Sequence, residues 1–90
     1  MDINDRIRIS IVDDDDFYGS LIKERLSFEQ HIDVDLQPNA CKFFENFLPA
    51  PDVAIIDFSL PDMNGVEILR LLREHYDQVY TIILSSNKDL

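Results

Sequence analysis

The sequence predicts an α/β fold, an open parallel sheet wound on both faces. Segments of strand character alternate with segments of helical period along the chain. Strands joined through helices must run parallel, because each crossover returns the chain to the same edge of the sheet. Val53-Ala54-Ile55-Ile56 is a continuous apolar run, as expected of a strand covered on both faces.

Arg6 to Val12 reads R-I-R-I-S-I-V, β-branched at every second position, and breaks into Asp13-Asp14-Asp15-Asp16: a strand ending in an acidic cluster. From Phe17 to about Gln30 the period changes. Tyr18, Leu21, Ile22, Arg25, Leu26 and Glu29 fall three and four apart, which predicts an amphipathic helix with Asp15 or Asp16 as its N-cap. Ile32 to Leu36 alternates again, a short strand with one polar face, stopped by Pro38-Asn39. Cys41, Phe44 and Leu48, with Phe43 and Phe47 beside them, predict a second helix closed by Pro49-Ala50-Pro51. The apolar strand at 53–56 ends in Asp57, and Leu60 to Gly65 has turn chemistry. Val66 to Tyr76 is helical, with Ile68, Leu69, Leu72 and Tyr76 on one side, and Thr81 to Leu84 is a fourth apolar strand ending in Ser85-Ser86-Asn87.

Composition narrows the function. Ninety residues make one domain or most of one, and 46% hydrophobic content is too high for a disordered chain. A net charge of −10 does not fit a general basic surface for nucleic acid or docking on anionic lipid. No direct nucleic-acid binding by this segment and no membrane association are therefore expected. No apolar run approaches the roughly 20 residues of a membrane span, and Met1 to Asp5 lacks the character of a secretory leader. The lone Cys41 has no partner for an internal disulfide, so the expected location is cytoplasmic, with Cys41 as a small core residue.

In an open parallel sheet, functional groups gather beyond the carboxyl ends of the strands. That rule brings Asp13 and Asp14, Asp57, and a hydroxyl of Ser85-Ser86 to one crevice. Carboxylates packed so closely repel, and burial pushes at least one pKa upward. A divalent cation removes the conflict, and an oxygen-only ligand set with room for water and phosphate favours Mg²⁺. A solvated, helix-capping role suits Asp15 and Asp16. A calcium loop fails on spacing, since counting from Asp13 puts Tyr18 where glycine is needed and counting from Asp14 ends on Arg25. His31 and His75 fall at helix ends, where a cation complements the dipole, and the phenylalanine cluster is expected in the core.

I-V-D-D at 11–14, D-F-S-L-P-D-M-N-G at 57–65 and I-L-S-S at 83–86 resemble the receiver domain of two-component response regulators. Within the middle motif, Asp57 stands three residues before Leu60-Pro61 and eight before Gly65. The resemblance runs from about Arg6 to the last residue and looks most like receivers whose output domain is a LuxR-type helix-turn-helix. It implies a flavodoxin-like sheet of order 2-1-3-4 over a single domain, 1–90, with the fifth strand and last two helices of such domains absent.

The resemblance implies Asp57 as phosphoacceptor, receiving a phosphoryl group from a phosphohistidine of a sensor kinase or phosphotransfer protein. Asp14 would bind Mg²⁺ directly and Asp13 largely through water, with Asp57 and the backbone carbonyl of Ser59 completing the ligands. Ser85 would be the switch hydroxyl, and Ser59 and Asn87 would set how fast the phosphoryl group is hydrolysed. Catalysis would amount to slow self-phosphorylation and dephosphorylation. A strand-five lysine that pairs with the phosphoryl group has no counterpart; Lys88 follows Ser85 too closely to approach from the opposite side. A second function therefore stands beside the first: a truncated or degenerate receiver acting as an interaction module, homodimeric through the open sheet edge or the face left by the missing helix. An aspartate-nucleophile phosphatase fits less well, because such enzymes commonly carry a second acid where this chain has Ser59.

Overall fold

The computed structural model describes residues 6–84. Four strands and three helices alternate: β1 Ile7–Val12, α1 Asp16–Leu26, β2 Ile32–Gln37, α2 Ala40–Glu45, β3 Val53–Asp57, α3 Gly65–His75 and β4 Tyr80–Leu84. The sheet is parallel throughout, in the order β2-β1-β3-β4. The expected fold class and strand order are both found.

Register sorts the strand residues onto two faces. Ile9 is opposite Val34 and Val53, and Ile11 opposite Leu36 and Ile55, so these side chains share a face. Gly19 of α1 lies against Leu36, which places α1 on that side. On the opposite face Val12, Ala54 and Ile56 are sealed under Ala40, Phe43 and Phe47 from the α2 segment and Ile68 and Leu72 from α3. The core is concentrated there. Phe43 packs against Phe44 and Phe47 at ring-centroid distances of 5.0 and 5.2 Å, and Phe47 meets Tyr76 at 4.5 Å.

The two faces are not equally covered, contrary to the apolar run at 53–56. Ala54 and Ile56 are buried, whereas Val53 and Ile55 are half-buried. Tyr18 and Leu21 of α1 and Ile82 of β4, on the same side, are exposed. Among the described residues α1 alone packs there, reaching β1 and β2.

Local hydrogen bonding moved several boundaries. α1 ends at Leu26, short of Gln30: Ser27 is its C-cap, with hydroxyl and backbone N–H both donating to the Lys23 carbonyl at 2.6 and 2.9 Å, and the Glu29 N–H then turns to the Leu26 carbonyl at 3.1 Å. α2 ends at Glu45, where the Asn46 side chain and backbone N–H close on the Lys42 carbonyl. Leu48 is consequently outside the helix and 71% exposed. Cys41 is exposed, not in the core: Ala40 and Phe43 take the inward positions of this short helix. At the edge of the sheet, the Arg6 guanidinium grips Asp33 through two bonds of 2.7 Å and holds its carboxyl below the usual carboxylate range.

Candidate functional site

The parallel arrangement delivers Asp13, one residue past β1, and Asp57, the last residue of β3, to the same end of adjacent strands. Asp13, Asp14 and Asp57 each offer a carboxylate oxygen within 4.8 Å of the others. Asp13 and Asp57 are buried, at 4% and 6% exposure, while Asp14 is open to solvent. The site thus has a sheltered floor and one accessible wall.

Neighbouring backbone holds these groups in place. The Asp13 Oδ1 accepts the Asp15 N–H at 2.9 Å, and the Asp15 carboxylate caps α1 by accepting from Phe17 and Tyr18 at 3.1 and 3.2 Å. Asp15, not Asp16, is therefore the cap. The Ser59 N–H donates to Asp57 Oδ1 at 3.2 Å. Behind it, Ser59 pairs with Asn64 in an antiparallel bridge, and the Gly65 N–H donates to the Phe58 carbonyl at 2.9 Å. Gly65 permits this close return, since a Cβ there would meet the Phe58 Cα at 3.1 Å and an Ile83 methyl at 3.3 Å. Asn64 then caps α3 through the Glu67 N–H at 2.9 Å.

Burial pushes the Asp13 carboxyl up, the Asp15 N–H opposes that, and the charges of Asp57, Asp14 and Asp15 reinforce it. A carboxyl raised in the folded state favours folding below its ordinary pKa, and that contribution is lost as pH rises through the folded value. The Asp13 carboxyl therefore contributes less to stability as pH rises. Hard oxygen donors, mutual repulsion and an open wall suit a divalent cation that keeps some of its water.

Asp62 was expected only as part of a turn. Its Oδ1 accepts the Ala40 N–H at 3.0 Å and its Oδ2 the Cys41 N–H at 2.8 Å, tying the β3–α3 loop to the start of α2. Desolvation opposes its ionisation, yet the N–H groups of Ala40, Cys41 and Asp62 itself hold its carboxyl below the usual range. No local pattern signals a contact between residues so far apart in sequence. Of the other expected site residues, Ser85, Asn87 and Lys88 lie outside the described residues.

The sequence profile of the response regulator receiver domain matches residues 9–90. The chain belongs to this family, the receiver domains of two-component signalling. It is 32% identical over 88 residues to the transcriptional regulatory protein DegU of Brevibacillus brevis, covering 93% of this chain and 36% of that protein. It is 40% identical over 80 residues to the sensory transduction protein BceR of Halalkalibacterium halodurans, covering 88% and 34%. The chain thus spans about a third of the length of these curated relatives.

Among solved structures, a CheY-like receiver domain from Methanospirillum hungatei superposes with a TM-score of 0.83 at 28% identity, over 94% of this chain and 68% of that one. The response regulator TrrA of Thermotoga maritima, solved in complex with Mg²⁺ and beryllofluoride, gives 0.81 at 26% identity, over 92% and 72%. Receiver domains bind Mg²⁺ at an acidic pocket and interact with sensor kinases or phosphotransfer partners. The carboxylates grouped here fit such an ion. No helix among the described residues is long and apolar enough to cross a membrane.

Proposed function

We propose that this chain, as one domain over residues 1–90, accepts a phosphoryl group on Asp57 from a phosphohistidine of a sensor kinase or phosphotransfer protein. The observation that carries this is the convergence of Asp13, Asp14 and Asp57 within 4.8 Å at the carboxyl ends of adjacent strands. A carboxylate oxygen of Asp57 attacks phosphorus, the P–N bond to the donor imidazole breaks, and an acyl phosphate forms as the leaving nitrogen takes up a proton. Asp13, Asp14, Asp57 and the Ser59 carbonyl would hold Mg²⁺, which neutralises charge on nucleophile and phosphoryl oxygens. The Ser59 N–H fixes the orientation of the Asp57 carboxylate before the donor arrives. Ser85 would then bond a phosphoryl oxygen and bias the domain toward its second conformation.

Beryllofluoride, which mimics an acyl phosphate on an aspartate, tests this reading. With Mg²⁺ present it should shift the amide resonances of Asp57, Phe58 and Ser59, and Asp57→Asn should abolish the shifts. Unchanged spectra in the unsubstituted chain would contradict the proposal. The cytoplasm, as the location of such a phosphodonor, belongs to the same proposal.

The exposed side chains of Tyr80 and Ile82 on β4, the outer strand among the described residues, favour a second activity, self-association of the 90-residue chain. Light scattering should give a dimer mass that falls on dilution. A monomer at all concentrations would contradict it.

A further inference from the structure

We infer that Asp62 is a positioning residue for the cation site, acting through the loop between β3 and α3; this rests on the receiver reading above. The loop carries Ser59, whose N–H orients Asp57, so its placement decides where the ligands stand. Its two flanks are secured locally: Phe58 by its N–H bond to the Leu84 carbonyl at 2.8 Å, Ser59 by its bridge to Asn64, Gly65 by its bond to Phe58, and Leu60 by burial in the core. The turn between them, at Pro61 and Asp62, is exposed and has no such packing. Asp62 supplies the missing anchor, with both carboxylate oxygens bonded to backbone N–H groups of another element.

The anchor point is itself rigid. Ala40 is 1% exposed and shares a core cluster with Leu60, so the bonds from Asp62 end on a buried part of the fold. Asn39 Oδ1 caps α2 at the Lys42 N–H at 2.8 Å, and Asp62 adds to that cap by taking the Ala40 and Cys41 N–H groups. The bonds from Asp62 join the loop that carries Ser59 to the first turn of α2. Metal ligands need placement to within about half an ångström, and groups that orient them from outside commonly change affinity by 10–100-fold.

The full 90-residue chain allows the test, with Asp62→Ala, Asp62→Asn and Asn39→Ala titrated with Mg²⁺ by calorimetry below all melting temperatures. Asp62→Ala should weaken Mg²⁺ binding about tenfold, and Asp62→Asn, which keeps one acceptor oxygen, should fall between it and the unsubstituted chain. Asn39→Ala, which loses the α2 cap without touching the loop, should lower the melting temperature yet leave the Mg²⁺ Kd within about twofold. Equal weakening by Asn39→Ala and Asp62→Ala would overturn the inference, as would an unchanged Kd in Asp62→Ala. Should Asp62→Ala fail to fold, Asp62→Asn decides by the same criterion. Absence of Mg²⁺ binding in the unsubstituted chain would overturn the receiver reading and this inference together, whereas binding that is indifferent to Asp62 overturns the inference alone.

Discussion

Mg²⁺ at a hundredfold excess over its Kd should raise the melting temperature of the metal-free chain by about 10–20 °C. Binding to the folded state alone at that excess contributes about 2.7 kcal/mol, and 1 kcal/mol moves the midpoint of a domain this size by roughly 4–8 °C. The effect is concentrated at the cluster of Asp13, Asp14 and Asp57, where burial first, and then the neighbouring carboxylates, disfavour the charged form of Asp13. Asp13→Asn separates the two contributions, because the amide oxygen can still accept the Asp15 N–H while the charge is gone. Without metal at pH 7 this variant should melt above the unsubstituted chain; with Mg²⁺ it should gain less. Its advantage should shrink as pH falls toward the ordinary carboxylate range, where Asp13 in the unsubstituted chain is protonated. Calorimetry with and without Mg²⁺, at matched ionic strength, measures all three. An Asp13→Asn chain less stable than its parent in the absence of metal would contradict this electrostatic account.

Phe43→Ala should destabilise the chain by about 3–5 kcal/mol, lowering its melting temperature by at least about 12 °C. Phe43 is 1% exposed and packs against Phe44 and Phe47, so its truncation removes both ring contacts and leaves a cavity in the core. Domains of ordinary stability have only about 5–15 kcal/mol in total, and this core is concentrated on one face of the sheet. The variant is therefore expected close to its unfolding threshold at 37 °C. Chemical denaturation measures the loss; a change below about 1 kcal/mol would mean that the site collapses freely and that the aromatic cluster is not the keystone of this face.

Much of this architecture was legible because it rests on short-range periodicity. Alternation in Ile7, Ile9 and Ile11 placed one face of β1, and the end of each apolar run placed Asp13 and Asp57 where a parallel sheet collects its functional groups. What was hidden depended on contacts the pattern does not encode. The helical period continues past Leu26, but the chain turns off after Ser27, where the Glu29 N–H bonds the Leu26 carbonyl. Cys41 is small and apolar enough for a core, yet its place beside Ala40 at the start of α2 turns it outward. The half-covered state of Val53 and Ile55 is set by which elements pack above them, not by their own side chains. Asp62 looked like turn chemistry because the amides it binds belong to another helix.

The claim that Asp57 accepts a phosphoryl group is tested most directly by mass spectrometry after incubation with acetyl phosphate and Mg²⁺. The expected result is a gain of one phosphoryl mass, labile to hydroxylamine as an acyl phosphate is, mapped by peptide analysis to Asp57 and lost in Asp57→Asn. An unmodified chain under these conditions, or modification that persists in Asp57→Asn, would contradict it.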